Sequence, residues 1–193
     1  MPTITALRED RRGRIAVELD GTPWRTVPMA VAVRAGLSEG RPLDRPALRT
    51  LRRELRRAEA LALAGRALRA RDMSRARLSA RLEGAAVTPA AAEASLRTLE
   101  AAGALDDERF ARTRAESLAG RGYGDAAIRH DLEGQGLGGD VVERALDALD
   151  PEPERARRLV ERRGPGARTA RYLTGKGFAQ ESCEAALGPD LCN

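Results

Sequence analysis

The sequence predicts a mainly α-helical protein with three tandem three-helix repeats, preceded by a small three-stranded antiparallel β meander and a long linking helix. Three observations support this fold class. Apolar residues recur at helical spacing, although 33% of the 193 residues are charged. Aromatic residues make up only 3%, so the core must consist mainly of Leu, Val and Ala, which favours closely packed helices over a large β sandwich. The apolar pattern also repeats along the chain.

The N-terminal segment is predicted to form a meander over residues 3–28 and a short helix over about 29–35. Polar residues alternate with the apolar side chains Ile4, Ala6, Ile15, Val17 and Leu19, a period of two that is typical of half-buried strands. Turn residues at 10–13 and 20–22 separate the strands. A meander of this size is not stable alone. We therefore expect it to pack on the following helix as a cap, with a separate contact surface as the alternative interpretation.

A long helix is predicted from residue 46 to about residue 71. Asp44 is placed to cap its N-terminus, and Pro46 lies in the first turn, where a missing N–H costs nothing. Apolar residues at spacings of three, four and seven predict one buried stripe. Its members are Leu48, Leu51, Leu55, Ala58, Leu61, Ala62 and Leu68.

The remainder of the chain repeats itself. The stretches 74–96, 124–146 and 166–187 align without gaps, at offsets of 50 and 41 residues. Their apolar positions coincide through two helices each time, as Leu82, Leu132 and Leu173 illustrate. Each unit is therefore predicted to contain three helices that stack on the neighbouring unit.

The repeats predict four domains and an uneven charge distribution. The domains are the meander with its short helix, 1–45; the long helix with the first three-helix repeat, 46–105; the second repeat, 106–150; and the third repeat, 151–193. The net charge of +5 combines +7 over residues 46–84 and −6 over residues 85–150 with +2 over residues 1–45 and +2 over residues 151–193. Of the 34 basic residues, only Lys176 is a lysine. Genome composition and phosphate recognition explain this arginine bias equally well.

Candidate catalytic groups have better structural explanations. In "LDDERF", Asp106 or Asp107 is expected to cap a helix whose first turn favours acidic residues, with Phe110 pointing inward. His130 lies on the polar side of its helix, so we expect a solvated surface histidine. We therefore predict no enzyme activity, no metal and no cofactor.

The cysteine count and hydropathy indicate the compartment. Cys183 and Cys192 are too few for a disulfide scaffold, and the chain has neither a signal pattern nor an apolar run of membrane length. We expect a reduced, cytoplasmic protein.

The segment "GRGYGD" is predicted to be a turn between two helices. Gly122 and Gly124 permit a sharp turn, and Tyr123 packs at the corner or is an exposed contact residue. It is not a phosphate-binding loop, because no strand precedes it and no Lys-Ser/Thr pair follows it.

Arginines recur at equivalent positions of the repeats. Arg71, Arg121 and Arg162 share one position at the end of the first helix of each unit, and Arg77 and Arg168 share another. A stack of repeats sets such residues in a row, which suits nucleic acid or an acidic protein groove. Compensation of the helix dipole explains the first position equally well.

The segment "GALDDERFARTRAESLAGRGYGDAAIRHDLEGQGL" resembles the RecX family, bacterial regulatory proteins that modulate the RecA recombinase. The matching features are the LDD-RF segment, the GYG turn, the pair Ile128 and Leu132, and the glycine with an apolar residue after the second helix. The resemblance covers about residues 58–187. The N-terminal meander is also similar to an extension that some members carry.

The resemblance implies three tandem repeats in an elongated, curved array, with no cofactor. We also predict a monomer that does not associate with a membrane. The resemblance further implies binding in the groove of the RecA–DNA filament, with inhibition of filament growth, ATP hydrolysis and strand exchange in recombination, DNA repair and the SOS response. DNA, single- or double-stranded, would be contacted directly or through the filament. The predicted partner-binding residues are Arg71, Arg77, Arg121, Tyr123, Arg129, Arg162, Arg168, Arg171 and Lys176.

One departure from the family pattern concerns charge. Members often carry a basic central unit, whereas residues 85–150 here are acidic, which favours protein contacts over direct DNA contact in that unit. The alternative hypothesis is an independent DNA-binding helical protein that acts through its basic segment 46–84.

Overall fold

A computed structural model describes residues 1–191, and Cys192 lies outside the described residues. Three strands, β1 (Ile4–Glu9), β2 (Arg14–Leu19) and β3 (Thr22–Pro28), precede ten helices. The helices are α1 (Met29–Arg34), α2 (Arg45–Ala70), α3 (Arg75–Gly84), α4 (Pro89–Ala101), α5 (Asp107–Gly120), α6 (Asp125–Gly134), α7 (Gly139–Asp147), α8 (Glu152–Arg163), α9 (Ala167–Gly175) and α10 (Gln180–Leu187). A 3₁₀ turn, Pro189–Leu191, follows. The predicted fold class is confirmed.

The meander is antiparallel in the order β1-β2-β3, as predicted. The pairing register between β1 and β2 shifts between Ile4 and Ala6. After this shift, different residues of β1 point toward the core than a strict alternation predicts. Leu7, paired with Val17, packs on the core in the place predicted for Ala6. The sheet packs on α2 through Leu51, as expected of strands that bury one face.

Helix α2 begins and ends within one residue of its predicted bounds. The Asp44 carboxylate accepts a hydrogen bond from the Ala47 amide at 2.7 Å, which confirms the predicted cap. The predicted stripe is only partly right, because Leu51 is buried whereas Ala62 is exposed. The other buried apolar residues of α2 are all alanines, which allow neighbouring elements to approach closely: Ala47, Ala60, Ala64 and Ala67.

The repeated apolar positions are core positions. Leu82, Leu132 and Leu173 are each fully buried, and so are Leu78 and Ile128 at another equivalent position. The third helices repeat the pattern with Ala92, Val142 and Cys183, all buried. Separate apolar clusters form within α5–α7 and within α8–α10. The repeated apolar pattern in the sequence therefore corresponds to repeated packing of the same positions in the core.

The turn between the second and third helices is the same in each repeat. An amide hydrogen bonds to the carbonyl five residues earlier, which closes the helix. These bonds run from Val87 to Leu82 at 3.1 Å, from Leu137 to Leu132 at 3.4 Å and from Phe178 to Leu173 at 3.2 Å. The preceding residue has positive φ each time: +56° at Ala86, +77° at Gly136 and +80° at Gly177. Glycine adopts this conformation without steric cost, whereas alanine does not.

The described chain divides into two compact units. The first unit contains Met1–Arg69 and Ser79–Ala101, and the second contains Ala70–Leu78 and the chain from Ala102 onward. The second unit therefore includes α5 to α10 and the start of α3. The division into four domains stays a prediction.

Candidate functional site

The second unit contains two joints in which one repeat packs on the next through backbone atoms. In the joint between the second and third repeats, the Gly124 amide donates to the Lys176 carbonyl at 2.9 Å, and the Ala126 amide donates to that of Gly177 at 3.2 Å. A Cβ atom added at Gly124 would lie 2.4 Å from the backbone of Gly177 and Phe178. Gly124 has a φ of −83°, which any residue can adopt. Glycine is therefore needed here for the close approach of the two backbones, and the prediction that Gly124 permits the turn was wrong. Gly122, with a φ of +80°, makes the turn.

Buried charged groups reinforce this joint. The Glu152 carboxylate accepts hydrogen bonds from the Asp125 amide at 2.6 Å, the Ala179 amide at 3.1 Å and the Ser182 hydroxyl at 2.6 Å. The Arg155 guanidinium donates to the Tyr123 carbonyl at 3.0 Å and forms an ion pair with Asp125. Burial raises the pKa of Asp125, and the charge of Arg155 acts in the opposite direction. Because each buried group has partners, the network fixes the third repeat against the second.

The joint between the start of α3 and the second repeat uses equivalent positions. The Ser74 hydroxyl donates to the Gln135 carbonyl at 2.5 Å, and Arg77 donates to the Gly134 carbonyl at 2.6 Å. The Asp107 carboxylate caps α3 by accepting from the Arg75 amide at 2.8 Å. Glu152 caps α6 in the same manner, so a carboxylate at the start of each following repeat stabilises the preceding one. Asp106 caps its own helix by accepting from Arg109, as predicted.

The joint between the second and third repeats places cations against two tyrosine rings. The Lys176 Nζ atom lies 3.7 Å from the ring centroid of Tyr123 and 5.8 Å from that of Tyr172. The Arg163 guanidinium lies 3.8 Å from the Tyr172 centroid, and that of Arg121 lies 5.8 Å from the Tyr123 centroid. We call these five residues the cationic cluster. Contacts of this kind orient a cation with little desolvation when the ring is half-exposed.

Two depressions lie beside the cationic cluster. The first has a volume of about 280 Å³ and includes Arg121, Arg162, Arg163 and Tyr172 in its wall. The second, about 540 Å³, includes Arg77, Arg121 and Tyr123. Among the side chains that the structure describes, no ion pair joins Arg77, Arg121, Arg162, Arg163 or Lys176 to a carboxylate. This surface therefore has uncompensated positive charge.

The other predicted contact residues lie elsewhere. Arg71 follows α2 at a bend and is exposed, and Arg168 and Arg171 are exposed on α9. Arg129 binds both carboxylate oxygens of Glu143, at 3.0 and 2.9 Å. Hydrogen bonding from Arg129 lowers the pKa of the Glu143 carboxyl, so the charge of this arginine is compensated within the chain.

Four residues that shape this surface were not among the sequence candidates. Arg163 and Tyr172 belong to the cationic cluster, and Glu152 and Arg155 belong to the buried network beneath it. Arg163 and Tyr172 have no equivalent residue type in the other repeats, so the repeat alignment gave no signal for them. Arg155 is equivalent to Arg114 at the offset of 41 residues, but that equivalence did not indicate burial. A charged residue close to the start of a predicted helix was the only indication for Glu152.

Two kinds of feature are absent from the described part of the chain. Across residues 1–191, no cluster of His, Cys, Asp and Glu side chains could hold a metal ion. No helix described there combines the length and hydropathy needed to cross a membrane. His130 is exposed, as predicted.

The fold and this surface define a helical repeat protein whose second unit presents cationic and aromatic side chains. A family model described as "RecX, second three-helix domain" matches residues 106–146. The regulatory protein RecX of Deinococcus radiodurans is 34% identical over 151 residues, which cover 73% of this chain and 72% of that protein. The chain therefore belongs to the RecX family of regulatory proteins.

Other comparisons agree with this family. The regulatory protein RecX of Leptothrix cholodnii is 39% identical over 139 residues, covering 66% of this chain and 88% of that protein. A crystal structure of regulatory protein RecX superposes with a TM-score of 0.82 over 95% of this chain and 98% of the other, at 23% identity. RecX from Lactobacillus salivarius gives a TM-score of 0.60 at 17% identity, over 70% of this chain and 97% of the other. The two structures show a shared fold.

Proposed function

We propose that this protein regulates the RecA recombinase by binding in the groove of the RecA–DNA filament. Binding there inhibits filament growth, ATP hydrolysis and strand exchange, and so modulates recombination and DNA repair. Membership of the RecX family supports this role. The observation that carries the proposal is the cationic cluster, because its charges are uncompensated and face an aromatic surface.

The chemistry of this cluster suits a large anionic partner. Guanidinium groups bind phosphates or carboxylates through planar, paired hydrogen bonds, and their charge steers encounter. The half-buried rings of Tyr123 and Tyr172 add apolar contact area beside the charges. A filament groove formed by protein and DNA offers both kinds of partner.

Rigidity of the binding surface supports inhibition. The buried network of Glu152 and Arg155 holds the second and third repeats together, so little conformational entropy is lost on binding. A rigid surface bound across successive filament subunits would oppose the rearrangements that growth and ATP hydrolysis require.

The experiment is a measurement of ATP hydrolysis by a cognate RecA on excess single-stranded DNA, with this protein titrated in. Excess DNA removes simple competition for the strand as an explanation. We expect inhibition well below one protein per RecA monomer. Unchanged hydrolysis at equimolar protein would contradict the proposal.

A second candidate function is independent DNA binding through the basic segment 46–84. The exposed arginines of α2 favour it, including Arg49, Arg52, Arg56 and Arg69. Salt dependence distinguishes the two functions. Binding through phosphates alone weakens steeply with salt, because counterions are released, whereas a filament interface with apolar and hydrogen-bonded contacts retains more of its affinity.

A further inference from the structure

The first unit contains a third copy of the turn that both joints use for docking. The carbonyls of Gly134 and Gln135 in one joint, and those of Lys176 and Gly177 in the other, accept hydrogen bonds from residues around the start of a helix in the preceding repeat. The equivalent turn of the first repeat is Gly84–Ala86. All three of its residues are exposed, so this copy of the docking surface is open.

An open groove runs beside the exposed turn. It has a volume of about 380 Å³, and its wall is formed by Arg56, Leu63 and Arg66 of α2 together with Ala85–Thr88. A second depression of about 370 Å³ shares Arg56, Thr88 and Ala91 with it and continues between α2 and α4 over Ala90 and Ala94. We call the two depressions the α2–α4 groove. Five of its lining residues are alanines, which we call the alanine floor: Ala85, Ala86, Ala90, Ala91 and Ala94.

The α2–α4 groove is positively charged. Arg53, Arg56, Arg57 and Arg66 line it, against Glu54 and Glu59. Glu54 already binds Arg34 at 3.1 Å and Arg53 at 3.3 Å. Within the described chain, Arg56, Arg57 and Arg66 form no ion pair with a carboxylate.

We propose that the α2–α4 groove binds the N-terminal turn of an acidic helix from a partner protein. The N–H groups of that turn donate to the carbonyls of the exposed residues Ala85 and Ala86, as the amides of Gly124 and Ala126 do to the carbonyls of Lys176 and Gly177. Acidic residues in the same helix pair with Arg56 and Arg66. Small apolar residues contact the alanine floor. This proposal does not depend on the proposed action on RecA.

Two observations favour a helix over nucleic acid in this groove. The turn presents carbonyl acceptors, and a phosphate backbone has no donor for them. The alanine floor offers contact area to small apolar side chains, whereas phosphates gain nothing from it.

Ala86 has a methyl group where the occupied turns have glycine. A Cβ atom at Gly136 or Gly177 would lie 2.6 or 2.7 Å from the docked helix, so Ala86 limits how closely a partner approaches.

The test uses fluorescence anisotropy with the full chain and a labelled helical peptide of about 15 residues, a length at which isolated helices begin to form. The peptide begins Gly-Asp-Ala-Ala, the sequence of residues 124–127 at the start of α6, and has glutamates at its exposed positions. A matched peptide has lysines in their place. We expect the acidic peptide to bind at least about tenfold more tightly than the lysine peptide.

Variants of the protein locate the binding site. Arg56→Glu with Arg66→Glu should weaken binding of the acidic peptide by about tenfold or more. Arg49→Glu with Arg69→Glu changes the net charge equally on the same helix outside the groove, and should weaken binding less than about threefold. Ala86→Gly should strengthen binding about threefold, because the methyl group no longer blocks close approach.

Each contrary result overturns the proposal. Failure of the acidic peptide to bind, or equal weakening by the two arginine pairs, would show that the groove is not its site. Lack of any effect of Ala86→Gly would exclude docking against the turn. A different outcome is that the peptide does not bind but a single-stranded oligonucleotide does. If the Arg56/Arg66 variant then fails to bind the oligonucleotide and the Arg49/Arg69 variant still binds it, the groove is a nucleic-acid surface. The RecA assay tests the other proposal separately.

Discussion

Replacing Gly124 with alanine tests whether the second and third repeats are held by direct backbone contact. The new Cβ atom would lie 2.4 Å from the carbonyl carbon and oxygen of Gly177 and from the Phe178 nitrogen. These are backbone atoms within a hydrogen-bonded turn, so no flexible side chain can move aside. The α6 start and the third-repeat turn must therefore separate.

The magnitude follows from what the separation disrupts. Overpacking of a close contact costs about 1–3 kcal/mol. The bonds from Gly124 to Lys176 and from Ala126 to Gly177 lengthen as well, and each contributes about 1 kcal/mol. We expect the free energy of unfolding of the second unit to fall by about 3 kcal/mol, which shifts its urea midpoint by about 1.5 M.

Urea unfolding followed by far-UV circular dichroism measures this loss. The control is Gly139→Ala, because Gly139 is the first residue of α7 and has no heavy atom within 4 Å of an added Cβ. The control should match the wild type or be more stable by up to about 1 kcal/mol, since alanine favours helix. A Gly124→Ala variant with an unchanged midpoint would refute the close backbone contact.

Three further predictions concern the arginine row, the core and the turn. Joint replacement of Arg71, Arg121 and Arg162 by glutamate should weaken inhibition of RecA-dependent ATP hydrolysis by about tenfold or more while circular dichroism stays unchanged; undiminished inhibition would remove these residues from the binding surface. Leu132→Ala should lower the free energy of unfolding by about 2–5 kcal/mol, because Leu132 is fully buried. A loss below about 1 kcal/mol would show that this position is not in a packed core. Ala86→Gly should stabilise the chain by about 0.5 kcal/mol in thermal unfolding, because relief of positive φ exceeds the added chain entropy. If Ala86→Gly instead lowered the free energy of unfolding by about 0.5–1 kcal/mol, as glycine does in a helix, the positive φ of Ala86 would be contradicted.

The sequence predicted most of the fold because the relevant signals are local or periodic. The Asp44 and Asp106 caps act on amides three residues away, so their spacing alone was sufficient. Leu82, Leu132 and Leu173 recur because each repeat buries the same position. The stripe of α2 was less predictable, because exposed and buried alanines have the same side chain and differ only in their neighbours.

The candidate site was predicted in part, at the repeated arginines and at Tyr123 and Lys176, which lie together in the cationic cluster. Arg121 and Arg162 occur at equivalent positions, and both line one depression. Arg163 and Tyr172 line it too, and no equivalent position in the other repeats marks them. Sequence equivalence also gave no indication that Glu143 compensates the charge of Arg129, since the two residues belong to different helices.

The sequence by itself determined the helices, their caps and the threefold repeat, because these depend on interactions within a few turns of one chain. Only the tertiary structure decided how the repeats meet. Gly124 contacts Gly177, and Glu152 caps α6, across separations of tens of residues. Such contacts depend on where two backbones approach, and no periodic pattern encodes that approach. The cationic cluster forms at one of these joints, so its composition follows from the packing of repeats and not from the repeat itself.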